Sequence, residues 1–219
     1  MIRFPKRLIA GYRNFCTHRL PDEQSRYREL SENGQKPEVM VIGCCDSRVA
    51  PETIFNAGPG ELFVVRNVAN LVPPYAPDGE AHGVSAALEF AVQVLRVRHI
   101  VVMGHAQCGG VKALTEDTEP LSPGDFIGRW MSLIESDPEK LKPASGEDRQ
   151  AFVTRLEKSV IRRSLQNLMT FPCIRIQVER EKIMLHGAYF GVATGALSIL
   201  DKATGEFIDV QSADSIVSM

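Results

Sequence analysis

The stretch VMVIGCCDSR, residues 39–48, decides the fold and contains the first candidate functional residues. Its first half, residues 39–43, is a short apolar run, rich in β-branched residues and ended by glycine, which is typical of a buried strand. A thiol, a carboxylate and a guanidinium follow at alternate positions, as Cys44, Asp46 and Arg48. The stretch therefore predicts a buried strand that delivers reactive side chains just past its carboxyl end.

A second stretch of the chain has the same layout. Residues 99–104, HIVVMG, predict another buried strand that ends in glycine. The segment HAQCGG, residues 105–110, follows it and contains His105 and Cys108. In open parallel sheets, ligands bind at the carboxyl ends of the strands, near the point where the strand order reverses. We therefore expect Cys44, His105 and Cys108 to lie at one place.

The order of the predicted elements indicates an α/β fold with a mostly parallel central β-sheet flanked by helices. Apolar residues recur at helical spacing in two long segments, and shorter apolar or alternating runs are typical of strands. A late hairpin is expected to turn near Thr194 and Gly195. The predicted helices cover residues 83–97 and 152–169, and the further predicted strands cover residues 61–68, residues 174–178 and the hairpin over residues 185–200.

Two parts of the chain are distinguished by their patterns. Residues 1–36 predict an N-terminal helical arm, because apolar residues such as Leu8, Tyr12 and Phe15 recur at helical spacing. The arm precedes the first core strand, so we expect it to pack on the outside or on a partner subunit. Residues 37–219 are expected to form a single α/β domain. A chain of 219 residues with 44% apolar residues can bury a full core.

Composition argues against several classes of partner. The net charge is −2 with both signs mixed, so no nucleic acid is expected to bind. No apolar run approaches the roughly 20 residues needed to cross a bilayer, so no membrane is expected either. The basic N-terminus lacks the apolar stretch of a signal peptide, which favours the cytoplasm. Five cysteines at irregular spacing disfavour a disulfide framework and indicate metal binding or catalysis.

Cys44, His105 and Cys108 make a three-ligand set for a metal ion. Zinc favours thiolate and imidazole donors, and its catalytic sites use three protein ligands with one open position. Thiolates disfavour magnesium, calcium and manganese, and an iron–sulfur cluster requires four of them. We therefore predict one Zn²⁺ per subunit, with water in the fourth position. Cys45 is expected to point away from Cys44 and to pack as a small core residue.

Asp46 and Arg48 are predicted to act as a pair. A carboxylate that accepts the hydrogen bond from a zinc-bound hydroxide turns the lone pair of that hydroxide toward the substrate. A guanidinium two residues on keeps this carboxylate ionised and oriented. Two alternatives stay open, an ordinary surface ion pair and Asp46 as a fourth ligand that closes the site. The N–H groups of Gly109 and Gly110, at a predicted helix start, suit an anionic product or serve close backbone packing.

The motifs Cys44-x-Asp46-x-Arg48 and His105-x-x-Cys108-Gly-Gly, with GELFVVRNVAN at residues 60–70 between them, resemble the β-class carbonic anhydrases. The resemblance runs from about residue 35 to residue 195. It implies a lyase that reversibly hydrates CO₂ to bicarbonate and a proton by zinc-bound hydroxide. It implies zinc bound by the two cysteines and the histidine, with the Asp–Arg pair as a catalytic dyad. It also implies a homo-oligomer, a dimer or a tetramer of dimers, with N-terminal helices that reach across to the partner.

Within that family, the chain resembles the plant-like subgroup. Plant-like members carry a glutamine ahead of the first strand that binds substrate or bicarbonate, and Gln35 occupies that place. The pocket positions of the subgroup correspond to Phe63, Val68 and Phe90. Members with an inhibitory bicarbonate site use a tryptophan, an arginine and a tyrosine, where this chain has Val41, Arg66 and Phe190. Only the arginine is present, so cooperative inhibition by bicarbonate is not expected.

Two other functions stay open on the residues alone. An enzyme on the same scaffold could hydrolyse another linear heteroallene such as CS₂ with the same ligands. A zinc-stabilised protein without catalysis would have a closed site of four protein ligands, which the dyad and Gln35 disfavour. The chain also departs from the family at Ala106, where serine is usual, and at Phe90, where tyrosine is common. Neither position is a ligand, so both departures concern the polarity of the pocket.

Overall fold

The computed structural model describes residues 3–115, 123–134 and 142–211. The strands are β1 (Val39–Cys44), β2 (Leu62–Asn67), β3 (His99–His105), β4 (Met184–Phe190), β5 (Leu197–Leu200) and β6 (Phe207–Asp209). They form one sheet in the order β2-β1-β3-β4-β5-β6. Neighbours among β1 to β4 are parallel, and β5 and β6 are added antiparallel. The predicted α/β class, the mostly parallel sheet and the late hairpin are confirmed.

Helices precede the sheet and connect its strands. They are α1 (Lys6–Asn14), α2 (Leu20–Asn33), α3 (Pro51–Ile54), α4 (Gly83–Glu89), α5 (Gly109–Leu114), α6 (Phe126–Met131), α7 (Arg149–Leu168) and α8 (Pro172–Glu179). A wider π-helical segment, Phe15–Arg19, joins α1 to α2, and another, Phe90–Leu95, continues α4. The predicted helix over residues 83–97 is thus a composite, and it ends at Arg96, which adopts a left-handed conformation with φ of 58°.

The sheet places the ends of β1 and β3 side by side. β1 lies between β2 and β3, and Gly43 pairs with Met103 in the parallel register. Met40 and Ile42 point into the main core, together with Ile161 of α7, whereas Val41 and Met103 belong to a smaller cluster. Because the chain leaves β1 toward β2 on one side and later enters β3 on the other, the strand order reverses here. This is where the sequence predicts the site.

Two predictions from the sequence are wrong in this structure. Residues 174–178 form part of helix α8 and not a strand. The alternation of Ile174, Ile176 and Val178 suggested a period of two, but Pro172 occupies the first turn of a helix, where proline is tolerated. Only Ile174 is buried in α8, and Ile176 is exposed. Cys45 is exposed and not a core residue, because β1 ends at Cys44 and the chain turns outward.

The N-terminal arm consists of helices, as predicted. Neither α1 nor α2 buries a single residue against the rest of the chain. Leu8 is 56% exposed and Tyr12 is 67% exposed, so the described part of the chain leaves these two apolar side chains largely uncovered, whereas Phe15 is half-buried beside Tyr27. The short strand β6 was not predicted, and the last residues of the predicted domain, 212–219, lie outside the described residues.

Within the described ranges, no helix combines the length and apolarity needed to cross a bilayer.

Candidate metal centre

Three side chains converge at the carboxyl ends of β1 and β3. Cys44 is the last residue of β1, His105 is the last residue of β3, and Cys108 directly precedes α5. All three are buried, and their candidate ligand atoms lie within 4.8 Å of one another. This is the only such group of three or more in the part of the chain that the structure describes. The predicted convergence of these residues is therefore present.

The geometry of the three side chains fits a metal ion with sulfur and nitrogen ligands. The Sγ atoms of Cys44 and Cys108 are 4.0 Å apart, about twice the length of a disulfide bond. Two thiolates bound to one tetrahedral zinc at about 2.3 Å would lie about 3.8 Å apart. Both sulfur atoms are therefore spaced as ligands of one ion, and not as a redox pair.

The imidazole of His105 is oriented for the same role. Its Nδ1 lies 2.9 Å from the carbonyl oxygen of Ala106. A carbonyl can only accept, so Nδ1 carries the proton and Nε2 carries a free lone pair. Nε2 is buried without a hydrogen-bond partner, which is costly for a polar atom unless something binds it. Metal-bound histidines commonly donate their other ring N–H to a carbonyl in this way.

The two sulfur atoms lie within hydrogen-bond distance of each other. This contact lowers the pKa of Cys44 and raises the pKa of Cys108, and burial adds to the rise at Cys108. A metal bound between the two sulfurs would require both in the thiolate form, so metal affinity would depend on pH.

Asp46 and Arg48 form a bidentate pair beside the ligands. Arg48 donates from Nε to Oδ1 of Asp46 at 2.9 Å and from Nη2 to Oδ2 at 2.7 Å. This guanidinium holds the pKa of Asp46 well below its usual range, so the carboxylate is ionised. Nη2 also donates to the carbonyl oxygen of Gln107 at 3.1 Å. The pair thus joins the loop after β1 to the loop after β3, which a plain surface ion pair would not do.

Asp46 is not among the ligands in this arrangement. The metal-binding group comprises only the two cysteines and the histidine, and both oxygens of Asp46 bond Arg48. The side chain of Asp46 is 17% exposed and that of Arg48 is 44% exposed. An ionised carboxylate therefore lies at the edge of the site, next to solvent. Asp46 therefore lies outside the ligand group in this structure, and an open fourth position stays a prediction.

Arg66 of β2 holds the backbone around the first ligand. Its Nε donates to the carbonyl oxygen of Cys44 at 2.9 Å, and its Nη2 donates to that of Asp46 at 2.7 Å. The amide of Cys45 donates to the carbonyl oxygen of Asn67, also on β2. Arg66, the one residue of the inhibitory bicarbonate site that this sequence retains, is thus bonded to the backbone of its own chain.

Sequence reasoning missed the contacts that hold the second ligand loop. The amide of Ala106 donates to the carbonyl oxygen of Phe190 at 2.9 Å. The amide of Cys108 donates to Oε1 of Glu157 at 2.9 Å, and the hydroxyl of Tyr189 donates to Oε2 of the same carboxylate at 2.6 Å. A signal was present, since Glu157 interrupts the apolar inward face of the predicted helix over residues 152–169. An acidic residue on such a face requires a partner.

The predicted substrate-binding residues have different surroundings in this structure. A Cβ on Gly110 would lie 2.8 Å from Cγ1 of Val68, so this glycine is required for close packing, whereas nothing lies within 4 Å of a Cβ on Gly109. The rings of Phe63 and Phe90 pack with centroids 5.9 Å apart. Gln35 is exposed in the segment between α2 and β1. Their part in substrate binding stays a prediction.

Comparison with known proteins agrees with this geometry. The sequence profile of the family described as carbonic anhydrase matches residues 39–197. Beta carbonic anhydrase 3 of Arabidopsis thaliana is 35% identical over 201 residues, which cover 89% of this chain and 76% of that protein. The structure of the beta-carbonic anhydrase CcaA has a TM-score of 0.82 and 28% identity, covering 93% of this chain and 98% of that one. One of the two tetrameric beta-carbonic anhydrases of the ascomycete Sordaria macrospora has a TM-score of 0.76 and 27% identity, covering 89% and 95%.

Proposed function

Because this chain belongs to the β-class carbonic anhydrases, we propose that it catalyses the reversible hydration of CO₂ to bicarbonate and a proton. The observation that carries the proposal is the convergence of Cys44, His105 and Cys108, with Nε2 of His105 buried and without a partner. An unpaired buried nitrogen that faces two sulfurs is well suited to binding an ion. The ionised Asp46 beside these ligands provides the acceptor that the reaction requires.

Cys44, His105 and Cys108 would hold one Zn²⁺ per subunit. When bound, the ion supplies a Lewis acid that activates water near neutral pH. Two thiolates would balance the charge of the dication, so the ion would acidify its water less than a site with neutral ligands would. Polar groups around the site are therefore needed to orient the reactants. The carbonyl of Ala106 keeps the imidazole of His105 in the tautomer that leaves Nε2 free.

Asp46 is the group proposed to orient the attacking water. Its carboxylate accepts a hydrogen bond from that water and so turns a lone pair toward CO₂. Arg48 keeps both carboxylate oxygens in place and keeps them ionised, because it donates to each of them. Since Arg48 also bonds the carbonyl of Gln107, the carboxylate has a defined position relative to both ligand loops.

The substrate is small and apolar, whereas the product is an anion. Val68, Phe63 and Phe90 are proposed to provide apolar contacts for CO₂. Gln35 and the N–H groups at the start of α5, from Gly109 and Gly110, are proposed to bind bicarbonate. Gln35 makes no hydrogen bond within the described residues, so its amide is available to a ligand.

The engagement of Arg66 supports the plant-like subgroup. Its Nε and Nη2 donate to the carbonyls of Cys44 and Asp46, so these two groups hold the backbone around the first ligand. Val41 is buried in the sheet, and Phe190 lacks a hydroxyl that could bind bicarbonate. We therefore propose that the enzyme has no inhibitory bicarbonate site, so that inhibition by bicarbonate follows a simple hyperbolic curve.

The exposed arm supports assembly into homo-oligomers. The apolar residues Phe4, Leu8 and Tyr12 are each more than half exposed, and covering them with a second copy would remove apolar surface from water. We propose a dimer or a tetramer of dimers, in line with the tetrameric relatives of Sordaria macrospora. Location in the cytoplasm stays a prediction.

A stopped-flow assay of CO₂ hydration tests the proposal. The wild-type protein should hydrate CO₂, and Asp46→Asn should lose about 10- to 100-fold in rate, since outer partners of a metal site typically contribute about this much to activity. Cys45→Ser serves as the matched control, because this neighbouring side chain is exposed and outside the ligand group. Turnover of CS₂ measured alongside separates the alternative. Hydrolysis of CS₂ without hydration of CO₂, or equal rates for wild type and Asp46→Asn, would refute the proposal.

A further inference from the structure

Glu157 is a buried carboxylate that the proposed reaction does not use. It lies on α7, is 2% exposed, and has a hydrogen-bond donor on each oxygen. Oε1 accepts from the amide of Cys108 at 2.9 Å, and Oε2 accepts from the hydroxyl of Tyr189 at 2.6 Å. The carboxylate therefore bridges a predicted zinc ligand and strand β4.

This placement of a carboxylate is costly. Transfer of a carboxyl group from water to the protein interior is unfavourable unless hydrogen bonds compensate for the lost hydration. Within the described ranges, no lysine or arginine forms an ion pair with Glu157 that would offset this cost. The neighbours of Glu157 on the helix, Leu156 and Val160, are apolar core residues. The two hydrogen bonds that Glu157 accepts therefore have to offset the cost of its burial.

The segment that Glu157 contacts depends on support from outside. Cys44 and His105 are the last residues of central strands, and their backbones are held by the sheet. Cys108 lies beyond β3, after Gln107, which adopts a left-handed conformation with φ of 57°. Such a conformation is unfavourable for a residue with a side chain. The position of the third ligand thus depends on contacts to neighbouring elements.

We propose that Glu157, oriented by Tyr189, is a positioning residue that sets the backbone of Cys108 so that its thiolate meets zinc. This inference rests on the proposed function, since it concerns the same metal centre. Tyr189 pairs in register with Gly104, and Phe190 pairs with His105. The chain of contacts from Cys108 through Glu157 to Tyr189 therefore returns to the strand beside His105. The contacts through Glu157 and Tyr189 thereby fix the position of Cys108 relative to His105, although a strained loop separates the two ligands.

Zinc affinity measured by competition with a chromophoric chelator tests the inference directly. Glu157→Met keeps the approximate volume but removes the acceptor for the Cys108 amide, and loss of such an outer contact typically weakens metal binding about 10- to 100-fold. Glu157→Gln retains an amide oxygen for Cys108 and an N–H₂ group for the Tyr189 oxygen, so it should stay within about threefold of wild type. Tyr189→Phe removes only the second contact and should weaken binding by less than Glu157→Met.

A stability control separates positioning from a general effect on folding. Leu168→Ala truncates a fully buried residue near the end of the same helix, so it should lower the thermal midpoint without changing the zinc affinity of the folded protein. Wild-type affinity in Glu157→Met would overturn the inference, and wild-type affinity in Tyr189→Phe would remove Tyr189 from it. A loss in Leu168→Ala equal to that in Glu157→Met would also overturn the inference. Absence of zinc binding in the wild-type protein would refute the proposed function, whereas unchanged binding in Glu157→Met would refute only the role of Glu157.

Discussion

Gly104 lies one residue before His105, where β3 packs against Ile161 of α7. A Cβ placed on this glycine would lie 2.8 Å from Cδ1 and 2.9 Å from Cγ1 of Ile161. Both distances are roughly 1 Å shorter than an ordinary carbon–carbon contact of about 3.5–4.0 Å. Ile161 is completely buried in the main core, so its side chain has little room to move. We therefore expect Gly104→Ala to be destabilising.

The size of the effect follows from two opposing contributions. Overpacking of a core typically costs about 1–3 kcal/mol. Alanine in a strand interior is favoured over glycine by roughly 0.5–1 kcal/mol, because glycine loses more backbone entropy on folding. The free energy of unfolding should therefore fall by about 1–2 kcal/mol on Gly104→Ala. The zinc content of the folded protein should fall as well, since the substitution displaces the end of the strand that carries His105.

The coupling between positions 104 and 161 is measured by denaturant titration at one fixed protein concentration. The titration compares the wild type with Gly104→Ala, Ile161→Ala and the double variant. Ile161→Ala alone should cost about 2–5 kcal/mol, but it removes the two atoms that would clash with a Cβ at position 104, and the next nearest atom, Oδ1 of Asn70, lies at 3.5 Å. In that background, Gly104→Ala should be neutral or stabilising by up to about 1 kcal/mol. Gly109→Ala is the matched control, because its Cβ would meet nothing within 4 Å, and it should change stability by less than about 0.5 kcal/mol. Strict additivity of the two substitutions would refute the reasoning.

Other expected outcomes concern the metal centre and a buried histidine. Cys44→Ala should lose stoichiometric zinc by elemental analysis, whereas Cys45→Ala should retain it, and retention by both would contradict the ligand assignment. Arg48→Lys replaces a bidentate donor by a point charge, so CO₂ hydration should fall about tenfold or more, while the free energy of unfolding stays within about 1 kcal/mol because the pair is partly exposed. Burial beside His99 lowers the pKa of His186 to about 4, so the stability it contributes is fully present above pH ~6.5 and is lost as pH falls toward 4. His186→Gln should flatten the stability curve over that range in denaturant titrations, and an unchanged slope would be evidence against this.

The central part of the fold could be predicted because its signals are local. Residues 39–42 and 100–103 are continuous apolar runs, each followed by glycine, and both belong to parallel strands whose carboxyl ends lie side by side. Since the two strands are neighbours, the residues just beyond them had to converge. The same reasoning failed for residues 174–178, because alternation over five residues also fits one face of a short helix that begins with proline.

The support around the site could not be read from local patterns. Glu157 precedes Tyr189 by more than thirty positions and follows Cys108 by almost fifty, so only the tertiary fold brings them together. The exposed position of Cys45 depends on where β1 ends, and pattern analysis does not define element ends to one residue. Arg66 was noticed in the sequence for a different reason, and its bonds to the backbone of Cys44 and Asp46 became visible only in the structure.

Zinc-edge X-ray absorption spectroscopy of the purified wild-type protein tests the central assignment most directly. Bond lengths to sulfur, about 2.3 Å, are readily distinguished from those to nitrogen or oxygen, about 2.0–2.1 Å. The assignment of Cys44, His105 and Cys108 predicts two sulfur and two lighter ligands around each zinc, and one sulfur fewer in Cys108→Ser. A zinc shell that contained no sulfur, or one unchanged by that substitution, would contradict it.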